Sequence, residues 1–145
     1  MSGAIAPAGY SGTPLVKKLG LREGQRALFL DLPPSLGWLA EAAAFGRLKQ
    51  AGWEGMATAA ELDFVHGFTA TRAVLEDNAV QLRRAITPGG MVWISWPKQA
   101  SKVATDITED VIREVLLPTG LVDVKVAAVD EVWSGLKLVI RKELR

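Results

Sequence analysis

The side chains that could do chemistry are few, because the 145 residues contain one histidine and no cysteine. The lack of cysteine excludes disulfides, thiolate nucleophiles and thiolate metal sites, and a single histidine excludes a multi-histidine metal site. We therefore predict that no metal is bound. His66 could act as a base or a hydrogen-bond donor, since its unperturbed pKa lies near neutrality. The alternative, a structural histidine at the end of a strand, is favoured because no nucleophile or metal partner accompanies it.

A second group of polar side chains lies in the stretch SWPKQASKVATDITED, which is longer than a typical connection. Its lysines and the start of the following helix could hold an anion. The alternative is a solvated surface loop in which Asp106 only caps that helix, and the sequence does not decide between the two. The candidate ligand-binding residues of this stretch are Trp96, Lys98, Ser101, Lys102, Thr105, Asp106 and Thr108.

Two further candidates follow the first predicted strand. Asp31 ends that strand and Ser35 comes four residues later. Ligands of open parallel sheets bind outside the carboxyl ends of the strands, so both residues could contact a ligand. Trp133 lies in a predicted hairpin turn, and tryptophan is enriched in interface hot spots. We therefore predict Trp133 as an interaction residue.

The elements that would position these residues form one domain. The chain has the commonest domain size, and we predict a flexible leader over residues 1–12 and a single α/β domain over 13–145. Strands alternate with helices and the chain ends in two alternating segments. This order predicts a Rossmann-like, mostly parallel sheet with helices on both faces and a C-terminal antiparallel hairpin.

Local patterns give the bounds of these elements. Buried strands are predicted from apolar runs, helices from periodic apolar residues and caps, and the hairpin from strict alternation. A helix from Thr69 or Thr71 has a buried stripe of Leu75, Ala79, Leu82 and Ile86. The predicted strands cover 26–31, 56–59, 62–68 and 91–96. The other predicted helices begin at Thr13, at Ser35 (running to about Gln50) and at Asp106, and the hairpin pairs 122–129 with 136–141.

Several of these segments resemble class I S-adenosylmethionine-dependent methyltransferases. The stretches GLREGQRALFLD, LDFVHGF and QLRRAITPGGMVWISWP resemble the family's first strand, its strand that opens with an Asp, and its Pro-Gly-Gly turn with the flanking helix and strand. The chain is also similar to a group of short bacterial proteins that share SGTPLVKKLG, SWPK, TDITEDVIRE and VDVKVAAVDEVWSGLKLV. The first resemblance implies a Rossmann-like fold, whereas the second implies no particular activity.

The departures from the methyltransferase pattern fall where the cofactor would bind. Family members follow the acidic residue of the first strand with a glycine-rich turn, but here Leu32-Pro33-Pro34-Ser35 follows Asp31. Prolines remove backbone donors and fix the turn. The family also holds the ribose with an acidic residue after its second strand and inserts another strand and helix before the Asp-led strand. The chain has no room for that unit, and Glu54 and Glu61 fit the ribose ligand poorly.

We therefore interpret the sequence as a truncated, degenerate methyltransferase relative. The leading hypothesis is a non-catalytic module that binds a small molecule or a protein and no cofactor. The alternative is an S-adenosylmethionine-dependent methyltransferase with an atypical cofactor loop. A nucleic-acid regulator gains little from a net charge of +1. No segment is long and apolar enough for a membrane span and no signal peptide is visible, so we predict a cytoplasmic protein, with a homo-oligomer left open.

Overall fold

The computed structural model describes residues 9–145, with side chains from Pro14 onward. Most of the predicted leader therefore lies outside the described residues, and the first described helix begins at Gly9, before the predicted start at Thr13. The helices are α1 (Gly9–Leu19), α2 (Arg72–Ala85) and α3 (Glu109–Leu116). The strands are β1 (Arg26–Leu30), β2 (Arg47–Ala51), β3 (Leu62–Phe68), β4 (Ile86–Pro97), β5 (Leu121–Ala128) and β6 (Trp133–Ile140).

The strands form one sheet in the order β2-β1-β3-β4-β6-β5. β2, β1, β3 and β4 run parallel to one another, whereas β6 is antiparallel to both β4 and β5. The predicted α/β fold with a terminal antiparallel hairpin is confirmed. One strand, β2, separates β1 from β3 along the chain and lies at the edge of the sheet. This arrangement agrees with the shortage of one strand and helix predicted for this region.

The two faces of the sheet carry separate hydrophobic cores. Alternate residues of a strand point to opposite faces, so β3 contributes Val65 to one core and Phe64 and Phe68 to the other. The first core lies under α2 and α3, where Leu82 and Ile112 are fully buried. The second lies under α1 and a 3₁₀ helix that follows β1. Helices thus cover both faces, as parallel strands require.

The segment between β1 and β3 departs most from the sequence prediction. The expected helix from Ser35 to about Gln50 is wrong, because a 3₁₀ helix covers only Pro34–Glu41 and residues 47–51 form β2. Strand β2 pairs with β1 on one side and exposes four of its five residues, so its polar composition lacks the apolar run of a buried strand. The strand expected at 56–59 is also wrong, since Trp53–Thr58 is a second 3₁₀ helix.

The second half of the chain follows the prediction closely. β3 has the predicted bounds, and α2 begins after Thr71 and buries Leu75, Ala79 and Leu82. The fourth residue of the predicted stripe, Ile86, is buried as the first residue of β4 and not as part of the helix. The hairpin of β5 and β6 is confirmed. The predicted start of the third helix at Asp106 is wrong by two residues. Thr108 is the cap, and its hydroxyl accepts a hydrogen bond from the backbone N–H of Val111.

Candidate functional site

The candidate site is the edge of the sheet where β1 to β4 end. Because these strands are parallel, the residues that follow Leu30, Ala51, Phe68 and Pro97 meet at this edge. β6 runs the other way, so its first residue, Trp133, lies opposite Pro97. Ligands of doubly wound sheets bind at this kind of edge. The topology therefore brings together the chain segments that carry most of the predicted site residues.

Two carboxylates lie next to each other at the ends of β1 and β2. Asp31 follows β1 in a left-handed conformation, with φ of 51°, and its backbone N–H donates to the carbonyl of Ala51 at 2.9 Å. Glu54 follows β2, and its carboxylate accepts a hydrogen bond from the N–H of Gly52 at 3.1 Å. Partial desolvation raises the pKa of Asp31, and the negative charge of Glu54 raises that pKa further. The two side chains thus form an acidic pair that faces solvent.

The turn after β1 is built from prolines. Pro33 has an extended backbone (φ −60°, ψ 142°), and its carbonyl accepts a hydrogen bond from the N–H of Leu36 at 2.9 Å as the 3₁₀ helix begins. Pro34 occupies the first helical position, where a missing N–H costs little. Ser35, where a helix was predicted to begin, is exposed, and no side chain caps the 3₁₀ helix. Leu36 enters the core.

Trp53 packs across the end of β3. Its indole N–H donates to the carbonyl of Phe68 at 2.9 Å. The ring lies against Gly67, because a Cβ added to this glycine would be 2.4 Å from the nearest ring carbon. Only glycine therefore leaves room for the indole at this position. Trp53 thereby fixes the second 3₁₀ helix, and with it the backbone that carries Glu54, to the end of β3.

His66 lies in the core and not on the surface of this edge. The residue is fully buried, its ring stacks on Phe68 with centroids 4.2 Å apart, and its Nε2 shares a 2.7 Å hydrogen bond with Ser95 Oγ. Nδ1 has no partner among the described residues. Burial lowers the pKa of His66 from 6.5 to about 3, so the imidazole is neutral at physiological pH. This environment is that of a structural histidine.

The loop after β4 is fastened to the start of α2 by its own polar groups. Thr105 Oγ1 donates to the carbonyl of Ala70 at 2.7 Å and accepts from the N–H of Ile107. Asp106 Oδ1 accepts from the N–H of Arg72 at 2.7 Å, at the first turn of α2. Asp106 therefore caps α2 and not α3. These bonds hold the loop in one conformation.

The remaining predicted residues divide between loop surface and core. Ser101 Oγ donates to the carbonyl of Lys98 at 2.7 Å, within a short 3₁₀ turn, and Lys102 is exposed in a left-handed conformation. Lys98 is partly buried, and its N–H donates to the carbonyl of Val132, which ties the end of β4 to the hairpin. Trp96 is buried. Of these four residues, Lys98 and Lys102 are the two that carry a charge.

Trp133 packs inward within the described structure. Its ring meets that of Phe68 edge to face, with centroids 5.3 Å apart. Its backbone N–H donates to Asp130 Oδ1 at 2.8 Å, which shapes the hairpin turn. The residue remains partly exposed, so its predicted part in an interaction stays a prediction.

Residues 9–145 contain neither a cluster of potential metal ligands nor a helix suited to crossing a membrane. No group of three or more His, Asp or Glu side chains comes together there in a way that could hold a metal ion. No helix in that range is both long and apolar enough to span a bilayer.

Sequence reasoning missed Trp53 and underrated Glu54. Both follow β2, whose position the sequence did not reveal. With the strand placed at Arg47–Ala51, Glu54 falls three residues after its end, at the same edge as Asp31. Because β2 is an edge strand with mostly exposed residues, its sequence lacks the apolar run that would have revealed it.

Comparison with known proteins gives structural neighbours and no sequence relatives. No family model matches the chain, and no curated protein matches its sequence. Among solved structures, the chain is similar to a SAM-dependent methyltransferase from Aquifex aeolicus, with a TM-score of 0.65, 15% identity and 88% of each chain covered. It is also similar to magnesium protoporphyrin IX methyltransferase from Synechocystis PCC 6803 with bound SAM, with a TM-score of 0.63, 13% identity, and 92% and 78% of the two chains covered.

A third neighbour is phosphoethanolamine N-methyltransferase 2 from Haemonchus contortus in complex with S-adenosylhomocysteine. Its TM-score is 0.63 at 14% identity, with 90% of this chain and 52% of that one covered. At such identities the likeness establishes the fold. The chain has the Rossmann-like fold of the class I S-adenosylmethionine-dependent methyltransferases.

Proposed function

We propose that this chain, which has a methyltransferase fold, binds S-adenosylmethionine at the ends of β1 and β2 and is a methyltransferase with an atypical cofactor turn. The observation that carries this proposal is the acidic pair of Asp31 and Glu54, which follow two adjacent parallel strands by one and three residues. In the family that the sequence resembles, acidic residues follow these two strands, and the second holds the ribose hydroxyls. This proposal reverses the leading sequence hypothesis of a module without a cofactor.

The residues at the edge fit the cofactor in charge and position. Glu54 is exposed and one of its carboxylate oxygens, Oε2, accepts the N–H of Gly52, so Oε1 is available to accept from a ribose hydroxyl. Trp53 holds the backbone on which Glu54 lies, because its indole is packed on Gly67. When bound, the cofactor would supply an electrophilic methyl group. The protein's contribution would be to fix the ribose through Glu54 and to orient the rest of the molecule near Asp31.

The proline turn lowers the affinity that this edge can reach. Pro33 and Pro34 supply no N–H donors, whereas the family's glycine-rich turn brings bare backbone close to the cofactor. The loss of one or two hydrogen bonds, at roughly 0.5–1.5 kcal/mol each, weakens binding by about twofold to about 150-fold. Binding should therefore survive in weakened form.

A non-catalytic module that binds another small molecule or a protein is the second candidate. The specific observation in its favour is that the polar groups of the loop after β4 bond to the protein itself. The hydroxyls of Ser101 and Thr105 and the carboxylate of Asp106 all hold backbone in place. A module of this kind would lack methyl transfer, although it could still bind a ligand at the same edge.

Isothermal titration calorimetry with S-adenosylmethionine and with S-adenosylhomocysteine tests the proposal. We expect one-to-one saturable binding of both molecules, and we expect Glu54→Gln to weaken it by about tenfold, as expected for the loss of one charge-assisted hydrogen bond. The control is Asp77→Asn on the exposed surface of α2, which should leave the affinity unchanged. No binding of either molecule would overturn the proposal in favour of the cofactor-free module.

A further inference from the structure

A cavity of about 300 Å³ lies beside the first halves of β1 and β2, and neither Asp31 nor Glu54 lines it. Its floor includes Leu28 of β1 and Leu62 of β3, which are both buried, and its wall includes Gly55 and Thr58 of the second 3₁₀ helix. Parallel strands are normally covered by crossover helices. Here the short connection from β2 to β3 covers the sheet incompletely and leaves the cavity open.

Two cationic side chains from the edge strand line this cavity. Arg47 and Lys49 are two residues apart in β2, so they point to the same face, and the register places Lys49 beside Leu28. Both side chains are exposed. Neither forms an ion pair with any residue in the described range. The cavity therefore has two unneutralised positive charges beside an apolar floor.

The nearby acidic groups are already paired with another cation. Asp63 accepts two hydrogen bonds from the Arg26 guanidinium, at 3.1 and 3.2 Å, and one from the Arg26 backbone N–H. Glu61 lies at the rim of the cavity, but its carboxylate is 4.0 Å from the same guanidinium. These contacts leave the positive charges of Arg47 and Lys49 uncompensated.

We propose that this cavity binds a small organic phosphate monoester, with the phosphate between Arg47 and Lys49 and the apolar part on Leu28 and Leu62. Two cations match the charge of a phosphate monoester, and the arginine fork suits its oxygens. A volume of about 300 Å³ lies at the lower limit of small-molecule pockets. The site is separate from the edge of Asp31 and Glu54, and the proposal does not depend on cofactor binding there.

Titration of ¹⁵N-labelled protein with phenyl phosphate, followed by NMR, tests this site. We expect saturable shifts of the amides of Arg47, Lys49 and Thr58, with that of Asp31 unchanged. Arg47→Gln and Lys49→Gln should each weaken binding about tenfold, because each removes one charge-assisted contact. Lys125→Gln, on the opposite edge strand, is the matched control and should leave the affinity unchanged.

Two further ligands test the two halves of the site. Benzyl alcohol lacks the charge and should not bind, whereas inorganic phosphate lacks the apolar part and should bind at least about tenfold more weakly, because burial of the ring contributes to affinity. Equal affinity of phenyl phosphate for wild type and the Arg47→Gln, Lys49→Gln double variant would overturn the proposal. So would shifts confined to the Asp31 edge, or inorganic phosphate binding as tightly as phenyl phosphate.

Discussion

The sheet has a regular half and an irregular half. β3, β4 and the β5–β6 hairpin pack under α2 and α3 with periodic apolar residues. Residues 31–61 instead form two 3₁₀ helices around an edge strand that exposes four of its five residues. The acidic pair and the cationic cavity both belong to this irregular half. We infer from this difference that the regular half supplies most of the stability of the fold, whereas the irregular half exposes the charged groups that we propose to bind ligands.

A pair of matched truncations should give the largest difference between the halves. Leu82 of α2 is fully buried in the first core, whereas Leu48 of β2 is 38% exposed. Leu82→Ala removes buried apolar contacts and leaves a cavity, so it should reduce the free energy of unfolding by about 2–5 kcal/mol. Leu48→Ala should reduce it by less than about 1 kcal/mol. Urea denaturation measures both, and equal losses would contradict the division into halves.

The division into a regular and an irregular half also explains which elements could be predicted from the sequence. β3 was predicted correctly because both of its faces are buried, which gives an apolar run, and the hairpin was predicted correctly because its residues alternate in polarity. β2 was missed because it pairs with β1 through its backbone while its side chains face solvent. The two acidic residues of the candidate site differ in the same way. Asp31 was found from the end of a recognisable strand, whereas Glu54 was set aside because the strand before it was misplaced.

A substitution at the junction of the two halves should have an intermediate effect. A Cβ at Gly67 would overlap the ring of Trp53, which bonds to the carbonyl of Phe68. Gly67→Ala should therefore displace the indole and reduce the free energy of unfolding by about 1–3 kcal/mol. In a Trp53→Ala background the same substitution should cost less than about 0.5 kcal/mol, because the overlap is gone.

Gly37 provides the control for this cycle. An added Cβ at Gly37, in the first 3₁₀ helix, meets no atom within 4 Å, so Gly37→Ala should change stability little in either background. The unfolding free energies of the four proteins of the Gly67–Trp53 cycle come from urea denaturation. An equal cost of Gly67→Ala with and without Trp53 would show that the indole does not join the irregular half to β3.

The smallest expected effect concerns His66, a fully buried residue of β3 in the regular half. In the folded protein its pKa is about 3, and its ordinary value is 6.5. Since the folded pKa is lowered, the unfolded chain binds a proton below pH 6.5 that the folded protein does not bind. The contribution of His66 to the free energy of unfolding is therefore fully present above pH 6.5 and decreases as the pH drops toward 3. Between pH 7 and 5.5 the loss should be about 1.3 kcal/mol.

His66→Gln isolates this contribution from the carboxylates that also titrate in acid. Glutamine cannot take up a proton, so the variant should lack the histidine part of the pH dependence, whatever its stability at pH 7. Urea denaturation at pH 7 and 5.5 of both proteins gives the difference. Because His66 is the single histidine of the chain, its imidazole carbon-bound protons can also be followed by NMR. Their shifts should stay constant from pH 8 to 5, and a titration near pH 6.5 in the folded protein would place the ring in contact with solvent and reopen its role as a ligand-binding residue.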